Sequence, residues 1–224
     1  MNLKHQAAAR ALDYVRSGMT LGLGTGSTTA RFVDMLGERL QTGELQDIRG
    51  VPTSESAAAQ ARALSIPLIT LAELGGQRDM PLLDLAVDGA DQVDPDLNLI
   101  KGLGRALLRE KIVAVHADRF LVIVDESKIA PRLGNSCPLP IEIVPFEAEA
   151  HVRWLGTLGC RAELWLKKDN TPVVTDNGNY MARCWFPNGI ADPGALARTL
   201  AGRPGIVEHG LFLGMADSVI VAGS

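Results

Sequence analysis

The chain has no apolar run approaching the roughly 18 residues that a membrane-spanning helix requires, and it has no block of lysine and arginine. Its formal net charge is −4. A nucleic-acid partner is not expected, because that role needs clustered positive charge. The alanine-rich amphipathic start, MNLKHQAAARALDYVRSG, lacks the continuous apolar core of a secretory signal. Cysteine is scarce: Cys137, Cys160 and Cys184 are an odd number without zinc-type spacing, and they read as reduced thiols. The histidines are scattered and form no ligand pair. These absences point to a cytoplasmic protein with no membrane segment, no nucleic-acid partner and no metal.

What is present suits an α/β fold. At 224 residues, 46% of them hydrophobic, the chain can bury a sizeable core. The first 130 or so residues alternate short apolar runs with helical patterns, the signature of a parallel sheet with crossover helices. Residues 21–23 lead into Gly24-Thr25-Gly26-Ser27-Thr28 and a helix to about Leu40. Residues 48–51 lead into Pro52-Thr53-Ser54, with Ser54 as N-cap of a helix to Leu64, and 66–69 read as a further strand. Residues 85–87 lead into Asp88-Gly89-Ala90-Asp91, and 121–124 into Asp125-Glu126-Ser127-Lys128. Four strands thus end in loops of Thr, Ser, Asp, Gly and Lys. Ligands of open α/β sheets bind outside the carboxyl ends of the strands, so a polar small-molecule site is expected on that edge.

Past Pro131 the pattern changes. Strands are expected at 141–146, 162–167, 172–175, 180–186 and 206–213. Helices are expected at 147–158 and, after the Asp192-Pro193 start, at 194–200. That order is the ferredoxin-like split βαβ unit. The expected fold is a Rossmann-like, mostly parallel sheet with helices on both faces, plus a smaller α+β ferredoxin-like domain. The first domain would take 1–131 and 206–224, the second 132–205, with 218–222 returning to the first sheet.

The stretch DGADQVDPDLNLIKGLGRALLREK, residues 88–111, holds two acids, a cation, a glycine turn and a helix carrying Glu110. On a helix from 104 to 116, Glu110 has Ala106, Leu107, Val113 and Ala114 three and four residues away, none able to form a salt bridge. Leu108, Ile112 and Val115 make a second apolar side, so the helix is expected to be largely buried. An apolar collar disfavours a charged carboxylate, which suits a general base; a distant ion pair is the plainer alternative. Asp88 and Asp91 are capping residues of a turn or site acids. Lys101 sits where a helix start disfavours a cation, which implies a carboxylate or a ligand oxyanion as its partner. Gly24–Thr28 is either an anion-binding helix start or a tight turn with a capping hydroxyl, since it is neither a Walker A loop nor a Rossmann fingerprint. His209 reads as structural or as a hinge, and Trp154, Trp165 and Trp185 as core or interface residues of the second domain.

Taken together, GLGTGSTTARF (22–32), DGADQVDPDLNLIKGLG (88–104), ALLREKIVA (106–114), VDESK (124–128), PLPIEIVPF (138–146), TDNGNY (175–180) and GIVEHGLF (205–212) resemble the type A ribose-5-phosphate isomerase family. They span nearly the whole chain in order. The resemblance implies an enzyme interconverting ribose 5-phosphate and ribulose 5-phosphate without cofactor or metal, assembled as a homodimer or tetramer. By it, Glu110 is the proton-transferring base, with Asp88, Asp91 and Lys101 beside it in the catalytic set. Thr25, Gly26, Ser27 and Thr28, the Gly89-Ala90 link, the Gly102-Leu103-Gly104 turn and Lys128 contact substrate, and Lys4 approaches the phosphate. Leu103, Arg105 and Gln92 depart from the family pattern, and the TSES loop matches it only loosely.

The chemistry agrees. An aldose becomes a ketose by moving a proton between C2 and C1 through an enediolate, and one glutamate can carry it. Donors already in place must meet the developing charge, a role for Lys101 and the turn amides. Asp88 would open the sugar ring, Asp91 would orient a hydroxyl or Lys101, and Ser27, Thr28, Lys4 and Lys128 would anchor the phosphate. A related sugar-phosphate deaminase would need a ring-opening histidine near the site, and a CoA transferase a nucleotide-sized cleft. A non-catalytic sugar-phosphate sensor is the alternative from another class. Such sensors usually carry a DNA-binding segment first, for which the single helix before Gly24 leaves no room.

Overall fold

The computed structural model describes residues 3–75 and 81–223. In chain order the first elements are α1 (Leu3–Leu12), β1 (Thr20–Leu23), α2 (Ser27–Gln41), β2 (Arg49–Pro52), α3 (Glu55–Ala63), α4 (Leu71–Gly75) and β3 (Leu85–Asp88). Then come β4 (Gln92–Val93), β5 (Leu99–Ile100), α5 (Leu107–Val115), β6 (Phe120–Asp125), β7 (Leu139–Ile143), α6 (Ala148–Gly156) and β8 (Arg161–Leu164). The last are β9 (Tyr180–Trp185), α7 (Pro193–Ala201), β10 (Ile206–His209), β11 (Leu211–Phe212) and β12 (Ser218–Ala222).

Contacts divide the chain into two units, one of residues 1–89, 109–128 and 215–224, the other of residues 90–108 and 129–214. The first holds a five-stranded sheet in the order β12-β6-β3-β1-β2, every pairing parallel. Strand alternation assigns its faces. Leu21, Leu23, Leu85 and Val87 join the cluster built on α1 and α2, including Ala7, Leu12, Phe32 and Leu36. Gly22 and Ala86 point to the other face, where a Cβ on Gly22 would come within 2.6 Å of Val113 of α5. Helices therefore cover both faces. The last strand, β12, returns to this sheet beside β6, as expected.

The second unit contains a four-stranded antiparallel sheet in the order β10-β7-β9-β8, with α6 and α7 between strands as in a split βαβ unit. Asp192 caps α7 through the Ala195 amide at 2.8 Å, with Pro193 in the first turn. A second small sheet, β11-β5-β4, lies in the same unit. Trp154 packs in the main core of this unit and Trp165 in its smaller cluster. His209 is buried and accepts the Leu211 amide at 3.3 Å, which fits a structural part.

Several expectations change. Residues 90–108, 129–131 and 206–214 go with the second unit rather than the first; β4 and β5 pair with β11, and β10 pairs with β7. The expected strand at 206–213 divides at Gly210, whose missing Cβ leaves room for the Lys101 carbonyl, 2.2 Å from where it would sit. Residues 66–69 make only a bridge to Gly50, since Pro67 has no N–H to continue a ladder. Residues 172–175 likewise make two isolated bridges. Helix α5 starts at Leu107 rather than 104, after a turn that puts Gly102 and Arg105 at positive φ. Its outer side is not buried: Ile112 is 43% and Val115 56% exposed.

Candidate active site

Parallel pairing brings the carboxyl ends of β1, β2, β3 and β6 to one edge of the first unit. Asp88 is the last residue of β3 and shares the α5 face with Ala86. It is buried, and its Oδ1 accepts from the Thr25 amide at 3.0 Å, the Gly89 amide at 2.7 Å and Thr29 Oγ1 at 3.4 Å. Gly24 makes this possible. A Cβ there would stand 2.2 Å from the Asp88 carboxyl, so a side chain would expel it.

Glu110 enters the same place from α5. It lines one small pocket with Asp88, Gly22, Gly24, Val113 and Ala114. Val113 and Ala114 are buried, so that part of the expected apolar collar exists. The adjacent Arg109 turns away and pairs with Glu55 at 2.8 Å. Behind Asp88 runs a hydroxyl chain that joins Thr25, expected at the site, to Thr53 and Ser54, which read from sequence only as a polar strand-end loop and a helix cap. Thr25 Oγ1 bonds Thr53 Oγ1 and Ser54 Oγ, both at 2.7 Å, and Ser54 Oγ caps α3 through the Ala57 amide at 3.0 Å. Thr53 Oγ1 also donates to the Leu23 carbonyl at 3.1 Å. The signal that could have found Thr53 is its place directly after β2, matching Gly24 after β1.

A cationic cluster occupies the same edge. Helix α2 starts at Ser27, so the amides of Ser27, Thr28 and Thr29 head it, with Gly26 at φ +129 before them. Lys4 Nζ donates to Ser27 Oγ at 2.8 Å. Asp125, which ends β6 as Asp88 ends β3, has its carboxyl held below the usual range. The Ser127 hydroxyl hydrogen bond is the main cause, and the charges of Lys128 and Lys4 add to it. Lys128 and Lys4, the latter bonded to Ser27, are thus the cations that act on Asp125, a residue not chosen from sequence. Together these groups can hold a phosphate: helix-start amides, a hydroxyl and two ammonium groups.

The remaining predicted residues belong to the second unit. Asp91 Oδ2 accepts the Leu103 amide at 2.8 Å, so it holds the turn. Lys101 is buried, its amide bonds the Gly210 carbonyl, and its Nζ lies 5.5 Å from the Phe212 ring centroid. Gly102 takes φ +112, and a Cβ there would meet Leu107 at 2.8 Å. Leu103 is half-buried and Gly104 exposed. Gln92, unusual for the pattern, uses both ends of its amide: Nε2 donates to Asn135 at 2.9 Å and to Ser136, and Oε1 accepts the Gly134 amide at 2.6 Å. The chain passes between units at Gly89–Ala90 and again at Leu108–Arg109, inside the two segments that carry the predicted site residues.

A parallel sheet with a buried carboxylate at one strand end, a second reaching it from a helix and a cationic helix start beside them defines an α/β enzyme acting on a small anionic substrate. A family profile described as ribose 5-phosphate isomerase A (phosphoriboisomerase A) matches residues 49–224. Ribose-5-phosphate isomerase A of Roseiflexus castenholzii is 51% identical over 220 residues, covering 98% of this chain and 91% of that protein. A solved D-ribose-5-phosphate isomerase in complex with phospho-erythronic acid superposes with a TM-score of 0.92 at 44% identity, covering 100% of this chain and 96% of the other. The Methanocaldococcus jannaschii enzyme gives 0.90 at 40% identity, covering 98% and 94%. The chain belongs to the ribose-5-phosphate isomerase A family. Among the described residues no group of three or more His, Cys, Asp or Glu is placed to hold a metal ion, and no helix is long and apolar enough to cross a membrane.

Proposed function

We propose that the chain interconverts D-ribose 5-phosphate and D-ribulose 5-phosphate, with Glu110 carrying the proton between C2 and C1. The observation that carries this reading is Glu110, 4% exposed, in one small pocket with Asp88, 3% exposed. In the open-chain aldose, the Glu110 carboxylate takes the C2 proton and forms the enediolate. It returns that proton to C1 while the C2 hydroxyl proton passes to O1, which leaves the ketose. Lys101 and the Gly102 and Gly104 amides meet the charge on O1 and O2, while Asp91 takes the Leu103 amide and so holds the turn. Asp88, fixed by its three donors, exchanges the proton that opens the sugar ring. Lys4, Ser27, Thr28 and Lys128 hold the phosphate away from the reacting carbons. Phospho-erythronic acid, bound by the solved relative, is a phosphorylated sugar acid and so also has an anionic end and a phosphate end.

The working form is a homodimer or tetramer in the cytoplasm. Exposed Ile112 and Val115 on α5 are apolar surface of the kind a subunit contact covers. A monomeric mass in sedimentation would contradict that assembly. The catalytic assignment is tested with Glu110→Gln, which keeps volume and removes the base. Turnover of ribose 5-phosphate should fall by about a thousandfold with the fold intact. Near-normal turnover by the folded variant would overturn it.

A further inference from the structure

A second cationic cleft lies in the first unit, running from the amino ends of β1 and β6 along β12. It has a volume of about 670 Å³ and is lined by Arg10, Arg16, Arg119, Tyr14 and Asp13, with residues of β12 along one wall. Three guanidinium groups and one carboxylate meet there, in a chain whose net charge is −4. Two of the three are already positioned by uncharged partners. Arg16 Nη1 donates to the carbonyls of Asp13 at 2.6 Å and Val15 at 2.9 Å, and Arg119 lies over the Tyr14 ring at 5.3 Å from its centroid. Among the described residues, no ion pair to a carboxylate neutralises Arg10, Arg16 or Arg119. A guanidinium held by a carbonyl or an aromatic face keeps further N–H donors and its full charge for a ligand. Three such groups around one cleft repel each other until an anion enters.

The cleft is separate from the phosphate anchor described above. Arg119 precedes β6 and Met19, also in the lining, precedes β1, whereas Asp125 and Lys128 follow β6 at its other end. The lining extends along β12 to Val221, and Arg10 lies six residues, about 9 Å, along α1 from Lys4, but none of Lys4, Ser27, Asp125 or Lys128 lines the cleft. The volume suits a small metabolite rather than a single ion.

We propose that this cleft is a binding site for a small polyanion carrying two or more phosphate or carboxylate groups, distinct from the substrate site. Pyrophosphate and citrate are the two probes, because they separate the phosphate and carboxylate sources of the same charge. Each is titrated calorimetrically into the intact protein and into Arg10→Gln, Arg119→Lys and Lys4→Gln. Arg10 is exposed, so its substitution does not threaten the fold, and Arg119→Lys keeps the charge while removing the planar fork. At least one probe should bind, weaken tenfold or more in Arg10→Gln and Arg119→Lys, and keep that component in Lys4→Gln. The probe that does so identifies the source, and isomerase turnover in the two arginine variants should stay within twofold of the parent. The proposal is overturned if neither probe binds at millimolar concentration. It is equally overturned if the only binding is insensitive to both arginine substitutions and disappears in Lys4→Gln, since the anchor alone would then account for it.

Discussion

Each of the two units buries a glutamate, and the two could hardly be treated more differently. Glu142, on β7 of the second unit, is fully buried, and its Oε1 accepts from Thr175 Oγ1 at 2.9 Å, Asn177 Nδ2 at 3.1 Å and Asn179 Nδ2 at 2.8 Å. Three side chains of one turn are tied to one oxygen. Glu110, in the first unit, is buried against Val113 and Ala114 and opens on a pocket shared with Asp88. Burial alone therefore does not mark a catalytic acid. What separates the two is company: three donors of one turn meet at Glu142 Oε1, whereas Glu110 shares its pocket with a second carboxylate, Asp88.

The most direct way to break this contrast is to place leucine at both positions. Glu110→Leu should lower turnover about a thousandfold with the protein still folded. Glu142→Leu should do the reverse. Each stranded donor costs about 1–3 kcal/mol, so melting should fall by on the order of 10 °C, with the folded fraction still active. Calorimetry beside a ketose assay reads both. If Glu110→Leu unfolds the protein and Glu142→Leu silences it, the contrast is inverted.

A smaller effect is expected at Gly24. Gly24→Ala puts a methyl 2.2 Å from the Asp88 carboxyl, and displacing that acid should cost about a hundredfold in turnover. Smaller again is Thr53→Val, which cuts the hydroxyl link to Thr25 and should lower stability by about 1 kcal/mol, with a severalfold loss of turnover. Thr53→Ser should restore both if the hydroxyl is what matters. The mildest change is Ser127→Ala, which removes the main cause of the low Asp125 pKa. In the parent, a carboxyl lowered by folding contributes stability above the ordinary carboxylate range and loses it as pH falls through the folded value. The variant should shift Asp125 back up, seen by NMR titration, and lose acid tolerance earlier on lowering pH.

Part of this site was legible in the residue order. Asp88 and the Gly24–Thr28 turn each follow a short apolar run, and period-two and helical patterns are local, so the strand ends and their loops read correctly. Val113 and Ala114, three and four residues from Glu110, showed half its collar. The missing pieces depend on distant segments. Thr53 matters because β2 pairs with β1, and Asp125 because its strand lies next to β3. The β4-β5-β11 sheet has two-residue strands, too short for any period to show. Ile112 and Val115 read as core because an apolar stripe looks the same whether it faces a core or the outside.

The central claim is that one carboxylate, Glu110, moves the proton between the two carbons. In D2O, the intact protein should convert ribose 5-phosphate to ribulose 5-phosphate whose C1 carries part of the substrate's C2 hydrogen, the rest being solvent deuterium taken up by the Glu110 carboxyl before it returns the proton. Folded Glu110→Gln should show neither conversion nor exchange of the C2 hydrogen. Exchange at C2 by that variant at a rate near the parent's would contradict the claim and assign the proton to another base.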